Sequence, residues 1–392
     1  MSEWNTIALD KMAEEITVGF VGPMSSEYIE QGIPFLRSQN VIPFLINYNG
    51  IKYITEKFHK KLSKSSLKPG DVVIVRTGKP GASAVIPKSL TVANCSDLVI
   101  VRCGSKLDPN FVSYFINSIT KSHIDANLVG AVQQHFNVGA AKKILIPDID
   151  IAHQYAISTI LCSLDDKIDL LHRQNATLEA MAETLFREWF VEEANTDSIS
   201  QLVYIQNGYA FKSKDFKENG SNGVVKIKNI SGGIIDIKNT DFIDDGVAKS
   251  VQNRFKILTG DILIAMTGAE IGKLGIIPKT DENLWLNQRV GLLREKFHGS
   301  KYLAYLQLKS DFGQDYIENT ATGSAQPNIS GTGIENCGFP RLPEEKIKEY
   351  SLQIGELYEK VIFNLGQIRT LTALRDTLLP KLMSGEVRIT EQ

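Results

Sequence analysis

The chain has 392 residues, 43% hydrophobic and 22% charged, with a formal net charge of −2, an ordinary globular composition too long for one core, so two or more domains are expected. No apolar run approaches the roughly 18 residues of a membrane span, and the start MSEWNTIALDKMAEE lacks the form of a signal peptide, so a cytoplasmic protein without a membrane partner is expected. Cys95, Cys103, Cys162 and Cys337 are scattered with no CxxC pair, which points to core thiols and to neither a zinc site nor a disulfide framework.

The near-neutral total hides segregation along the chain. Residues 1–147 and 198–343 carry an excess of lysine and arginine, whereas 148–197 is strongly acidic. Residues 52–79 alone hold eight basic side chains against Glu56 and Asp71. Such a stretch is either a solvated lysine face or an electrostatic footprint for nucleic acid.

In chain order, the first elements are short β-branched runs bounded by Gly, Asn, Asp and Pro, as strands should be. FLRSQNV (35–41) precedes LKPGDVVIVRTGKPGASAVIP (67–87), then come SDLVIVRC (96–103), the helical pattern FVSYFINSI (111–119), GAVQQHFNV (130–138) and ILIP (144–147). The same order returns as VVKIKNI (224–230), LTGDILIAMTGAEIGKLGIIP (258–278), NQRVGLLR (287–294), YLAYLQLKSDF (302–312), GSAQPNIS (323–330) and FPRLP (339–343). Gly70-Asp71 answers to Gly260-Asp261 and Thr77-Gly78 to Thr267-Gly268 at a shift of 190, while Arg76 and Lys79 answer to Met266 and Ala269. A period of that length is a whole domain plus a connector, with one fold carrying two different surfaces.

Each copy is followed by a heptad pattern. One row holds Ile157, Leu164, Leu171, Leu178 and Leu185 and another Leu161, Ile168, Asn175, Ala182 and Trp189. Near the C-terminus Tyr350, Leu357, Asn364, Leu371 and Leu378 run beside Ile354, Val361, Ile368, Arg375 and Leu382. Two long helices are predicted, the first about 58 Å long at 1.5 Å per residue. A single amide in each apolar seam, Asn175 and Asn364, suits a register-setting pair, the alternative being an exposed asparagine in a kinked helix. The expected helix-pairing set is Leu164, Ile168, Leu171, Asn175, Leu178, Leu357, Val361, Asn364, Ile368 and Leu371.

Catalytic patterns are missing. GKPGAS (78–83) lacks phosphate-loop spacing, and SGTG (330–333) follows no convincing strand. DPNF (108–111) departs from the amino-methyltransferase signature at Asn110, and the six histidines form no HExxH. PDID (147–150) is explained by a helix start. A binding protein without catalytic residues or a metal site is expected.

Two variable domains of one plan, each followed by a heptad helix, resemble the specificity subunit of type I restriction-modification systems. The resemblance spans the chain and rests on the two GD…TG…G…IP hairpins, the loops with Gln133-Gln134 and Gln326-Pro-Asn328, and the ending LRDTLLPKLMSGEVRI (374–389). The segments leading into the helices, LIPDIDIAHQ (145–154) and RLPEEKIKE (341–349), depart from the PLPPLxEQ-like form common in the family.

The resemblance implies an α+β chain of two strand-rich target-recognition domains, 1–147 and 194–343, separated by helices in 148–193 and 344–392 that pair as an antiparallel coiled coil. It further implies that each domain reads one half of a split double-stranded DNA sequence, and that the helices dock two methyltransferase subunits. Motor-nuclease subunits would join for restriction. S-adenosylmethionine, ATP and Mg would belong to those partners, with no cofactor in this chain. The competing readings are a scaffold whose tandem domains bind protein or glycan, and a fused methyltransferase.

For DNA, Arg37, Arg76, Lys79, Lys226, Lys228, Lys273 and Arg289 can neutralise phosphates, and arginine can bridge guanine O6 and N7. Gln39, Asn40, Gln133, Gln134, Asn229, Gln288, Gln326 and Asn328 carry the donor and acceptor that match an adenine edge. His135 lies in the same loop as Gln134, and Thr77 and Thr267 open glycine turns where backbone can approach phosphate. For each, turn capping or a surface role is the alternative.

Overall fold

The computed structural model describes residues 4–127, 136–190, 197–323 and 326–389, with side chains from 120 to 127 left aside. Contacts divide the chain into two units, 1–167 with 371–392, and 168–370. Each unit is built on two main sheets, with smaller two-stranded pairings beside them, and the order of the strands that the main sheets share matches between the units.

In the first unit an antiparallel sheet runs Ser83–Val85, Val72–Val75, Leu98–Arg102, Glu15–Val18. A second sheet runs Tyr28–Ile29, Lys52–Ile54, Ile33–Leu36, Ala93–Cys95, Ser66–Leu67, with Ile33–Leu36 parallel to Ala93–Cys95. The second unit repeats both, with the first extended by two strands: Val203–Asn207, Val290–Glu295, Ile262–Ala265, Leu274–Ile276, Gly233–Ile235, Ile230–Ser231 in the first, and Phe216–Lys217, Asp241–Ile243, Asn222–Val225, Asn283–Leu286, Lys256–Ile257 in the other. VVIV (72–75) and ILIA (262–265) are buried along their whole length, as central strands covered on both faces should be. In the first unit Val72 and Ile74 face the cluster containing Phe111 and Phe115 of helix Pro109–Asn127, whereas Val73 and Val75 face the core shared with Leu36 and Cys95.

The repeated Gly-Asp now has a structural cause. Gly70 and Gly260 have φ of +89° and +77°, a conformation that favours glycine. Asp71 Oδ2 accepts from Lys68 N and Asp261 Oδ2 from Leu258 N, both at 2.8 Å. Arg102 lies 3.9 Å from Asp71 and Arg294 3.8 Å from Asp261. The pair closes the turn before the central strand and ties it to the end of the neighbouring strand.

One element differs from expectation. The second repeat has two helices, Ser300–Lys309 and Asp311–Thr320, where one is predicted. Ser310 is extended and its Oγ accepts from Gly313 N at 3.2 Å, so a cap at this position ends the apolar pattern.

The long helices are Ile151–Phe190 and Glu344–Ser384. They run antiparallel in the second unit, where Asn175 meets Asn364 and Trp189 stacks on Tyr350 with ring centroids 4.1 Å apart. In the first unit Arg375 Nη1 binds Asp165 Oδ1 at 2.7 Å, and Tyr114 Oη donates to Asp165 Oδ2 at 2.5 Å. Of the predicted seam residues, Leu171, Asn175, Val361 and Asn364 are buried, and Leu164, Ile168, Leu178, Leu357, Ile368 and Leu371 are half-buried. The chain is an α+β protein of two similar strand-rich domains with two paired long helices.

Candidate nucleic-acid interface

In the second unit the Thr267-Gly268 turn, the start of strand Val290–Glu295 and the loop before helix Gly331–Glu335 converge. Gly268 N donates to Pro327 O at 2.9 Å and Ile329 N to Met266 O at 3.0 Å. Around this seam lies a cleft of about 540 Å³ lined by Asn207, Met266, Thr267, Gln288, Arg289, Gln326, Asn328, Ile329 and Ser330. Gln288, Arg289, Gln326 and Asn328 are exposed. Five predicted residues far apart in sequence therefore share one polar cleft, offering a guanidinium, three amides and a hydroxyl.

The loop is held by its ends. Asn328 and Thr322 exchange backbone hydrogen bonds of 2.9 Å in both directions, and Ser330 Oγ caps the following helix by accepting from Gly333 N at 2.9 Å. SGTG is thus a helix start, as is its counterpart, where Asn137 Oδ1 accepts from Ala140 N. In the first unit Phe136 N donates to Arg76 O at 3.2 Å, the counterpart of the bond from Ile329 N to Met266 O. Gln133, Gln134 and His135 lie outside the described residues.

The remaining cations do not line the cleft. Asp241 binds Lys226 Nζ and Lys228 Nζ, each at 2.6 Å, and the Lys226 ammonium stands 3.4 Å over the Phe216 ring. Burial alone would raise the Asp241 pKa, but the two ammoniums outweigh it and hold the carboxyl below its ordinary value. Lys273 pairs with Glu270. In the first unit Arg37 Nη2 donates to Gly50 O at 2.7 Å, Arg76 lies 3.8 Å from Asp97, and Thr77 Oγ1 donates to Asp97. Gln39 and Lys79 are exposed.

Two predicted base readers are corrected. Asn40 and Asn229 are 0% and 1% exposed. Asn40 Oδ1 accepts from Arg37 N, and its Nδ2 donates to Asn47 O and Asn49 O. Asn229 repeats this with Lys226 N, Asp236 O and Asn239 O. Both amides are saturated by backbone, so they fasten a loop and present nothing to a base.

Asn207, Asp97 and Asp241 were missed. A fixed shift of 190 conceals Asp97, because the second repeat gains two residues before the last sheet strand; aligning DLVIVR with RVGLLR sets Asp97 against Arg289. No comparable signal marks Asn207 at the end of its strand.

Residues 192–360 match the family described as Type I restriction modification DNA specificity domain. The second repeat belongs to that family. The resemblance to a type I specificity subunit holds along the chain. The MjaIX specificity subunit of Methanocaldococcus jannaschii is 24% identical over 93% of this chain and 89% of its own length. The MjaVIII subunit of the same organism is 21% identical over 96% and 88%. The fold is similar to a crystal structure of a type I restriction-modification system S subunit from M. genitalium, with a TM-score of 0.64 at 16% identity over 99% of this chain and 97% of that one. The cleft thus lies within the matched specificity domain. Among the described residues no helix is long and apolar enough to cross a membrane.

Proposed function

We propose that the chain is the non-catalytic DNA-reading subunit of a cytoplasmic type I complex. Each repeat reads one half of a bipartite, asymmetric duplex site, and the paired helices set the separation and dock two methyltransferase subunits. S-adenosylmethionine, ATP and Mg belong to the methyltransferase and motor-nuclease subunits. The observation that carries this reading is the gathering of Thr267, Gln288, Arg289, Gln326 and Asn328 around one cleft inside the specificity domain. Amides and a guanidinium are the side chains that match adenine and guanine edges in the major groove.

The test is exchange of residues 198–343 for the corresponding repeat of another specificity subunit, followed by mapping of methylated sequences in cells that supply the methyltransferase. One half of the methylated motif is expected to change. A change in both halves, or in neither, overturns the reading.

A further inference from the structure

The two repeats carry their cations at different points of one framework, and strand register identifies the equivalent positions. Val75 pairs with Leu98 as Ala265 pairs with Val290. One residue further on, Arg76 N donates to Asp97 O at 3.3 Å and Met266 N to Arg289 O at 3.1 Å. Arg289 therefore stands in the place of Asp97. By the same logic Phe35 pairs with Lys52 as Val224 pairs with Asp241, so Asp241 stands in the place of Lys52.

Each repeat thus has one carboxylate where the other has a cation. Asp97 accepts from Ser38 Oγ at 3.0 Å and from Thr77 Oγ1, and faces Arg76. In the second repeat Ile227, Met266 and Arg289 replace Ser38, Arg76 and Asp97, so three members of the latch change together and only the threonine stays. Arg289 is exposed in its cleft, and among the described residues no carboxylate pairs with it.

The Asn-fastened turn shows the converse. Asp241 holds both lysines of the second repeat's turn. In the first repeat that turn carries Arg37, whose guanidinium lies 5.8 Å from the Tyr28 ring centroid, with Lys52 on the same ring at 6.0 Å. No carboxylate pairs with either among the described residues. A cation already neutralised by a carboxylate releases no counterion when phosphate arrives, and the carboxylate repels that phosphate.

We propose that Asp97 and Asp241 are selector residues, Asp97 masking Arg76 in the first repeat and Asp241 masking Lys226 and Lys228 in the second. The first repeat then meets the phosphate backbone through the Arg37 turn, and the second through the Arg289 cleft. The proposal rests on the half-site reading above.

The experiment is the salt dependence of binding by the full chain, complexed with its methyltransferase subunits, to a duplex carrying its mapped site. R37Q and R289Q are each expected to flatten the slope of log affinity against log salt by about 0.9, one phosphate contact. D97N is expected to steepen it by about the same amount through release of Arg76, and D97N/R76Q to return to the wild-type slope. Asparagine keeps an acceptor for Ser38 and Thr77 and tolerates the φ of +54° at position 97. D241N tests the second repeat independently and is expected to steepen the slope by one to two contacts' worth.

Wild-type complex that does not prefer its mapped site over unrelated duplex overturns the half-site reading itself. Preference retained with an unchanged slope in D97N and D241N overturns the masking. So does a slope that stays steep in D97N/R76Q, because loss of negative charge alone would then explain it.

Discussion

The Asn175–Asn364 contact offers a sharp energetic test. The residues are 5% and 0% exposed, joined by one hydrogen bond of 2.9 Å from Asn364 Nδ2 to Asn175 Oδ1. Asn175 Nδ2 and Asn364 Oδ1 have no partner among the described residues. Asn364→Leu removes the bond, about 1 kcal/mol net, and orphans a further buried acceptor at about 1–3 kcal/mol. Added apolar burial offsets about 1–2 kcal/mol of this, leaving a destabilisation of about 1–2 kcal/mol. In the double variant, Asn175→Leu with Asn364→Leu, no buried amide remains, and stability is expected to equal or exceed wild type. With a similar loss of about 1–2 kcal/mol in Asn175→Leu, the coupling between the sites is about 2–4 kcal/mol, at the upper end of the usual range for contacting residues. Urea unfolding in a Trp4→Phe background reads it, because Trp189, stacked on Tyr350, and Trp285 then report the second unit alone. A single variant as stable as wild type, or a double variant weaker than both singles, refutes the reasoning. If the amides also set register, the double variant combines higher stability with heterogeneous Trp189 emission, since apolar seams slide more readily than a bonded amide pair.

Three further outcomes follow from the same geometry. Asn229→Ala leaves the Lys226 N–H and two loop carbonyls without their partner and is expected to destabilise the second unit by about 2–3 kcal/mol; the methylated motif of the surviving complex is expected to be unchanged, and a changed motif would restore Asn229 as a base reader. Gly268→Ala is expected to cost about 1 kcal/mol in thermal unfolding, because φ is +81° while no atom lies within 4 Å of an added Cβ; a much larger loss would show that the turn is more crowded than described. Asp71 has its pKa raised, with burial the main cause and the Lys68 N–H and Arg102 opposing it. Its folded pKa exceeds the unfolded one, so its contribution to stability is fully present below the unfolded value and is lost as pH rises through the folded one. The stability of wild type relative to Asp71→Asn is therefore expected to fall as pH rises through the carboxylate range in chemical denaturation, and a rise would reverse the assignment.

The duplication, the helices and their seam were legible because burial imposes a period on sequence. VVIV and ILIA must be apolar on both faces, a left-handed turn favours Gly70 and Gly260, and an apolar heptad seam makes Asn175 and Asn364 conspicuous. The cleft was legible only as a list of residue types. Asn40 and Gln288 illustrate why: both are amides in suspected loops, yet Asn40 is saturated by backbone and Gln288 is exposed.

The limit is therefore one of donor and acceptor accounting. A side chain is available to a partner only after its own backbone and neighbours have been satisfied, and that depends on residues brought together by the fold. Arg76 and Arg289 show the consequence for charge. Each borders a strand of the corresponding sheet in its own repeat, and composition counts them equally, but Arg76 faces Asp97 at the start of the adjoining strand whereas Arg289 occupies the position of that aspartate. Moving one arginine across a pair of backbone-bonded positions changes which surface of the repeat can attract phosphate, while the strands beneath it stay the same. The exchange reaches into the core as well, because Met266, in the place of half-buried Arg76, packs in the hydrophobic cluster of the second unit, so the two repeats share a strand framework while differing in both exposed charge and the packing beside it.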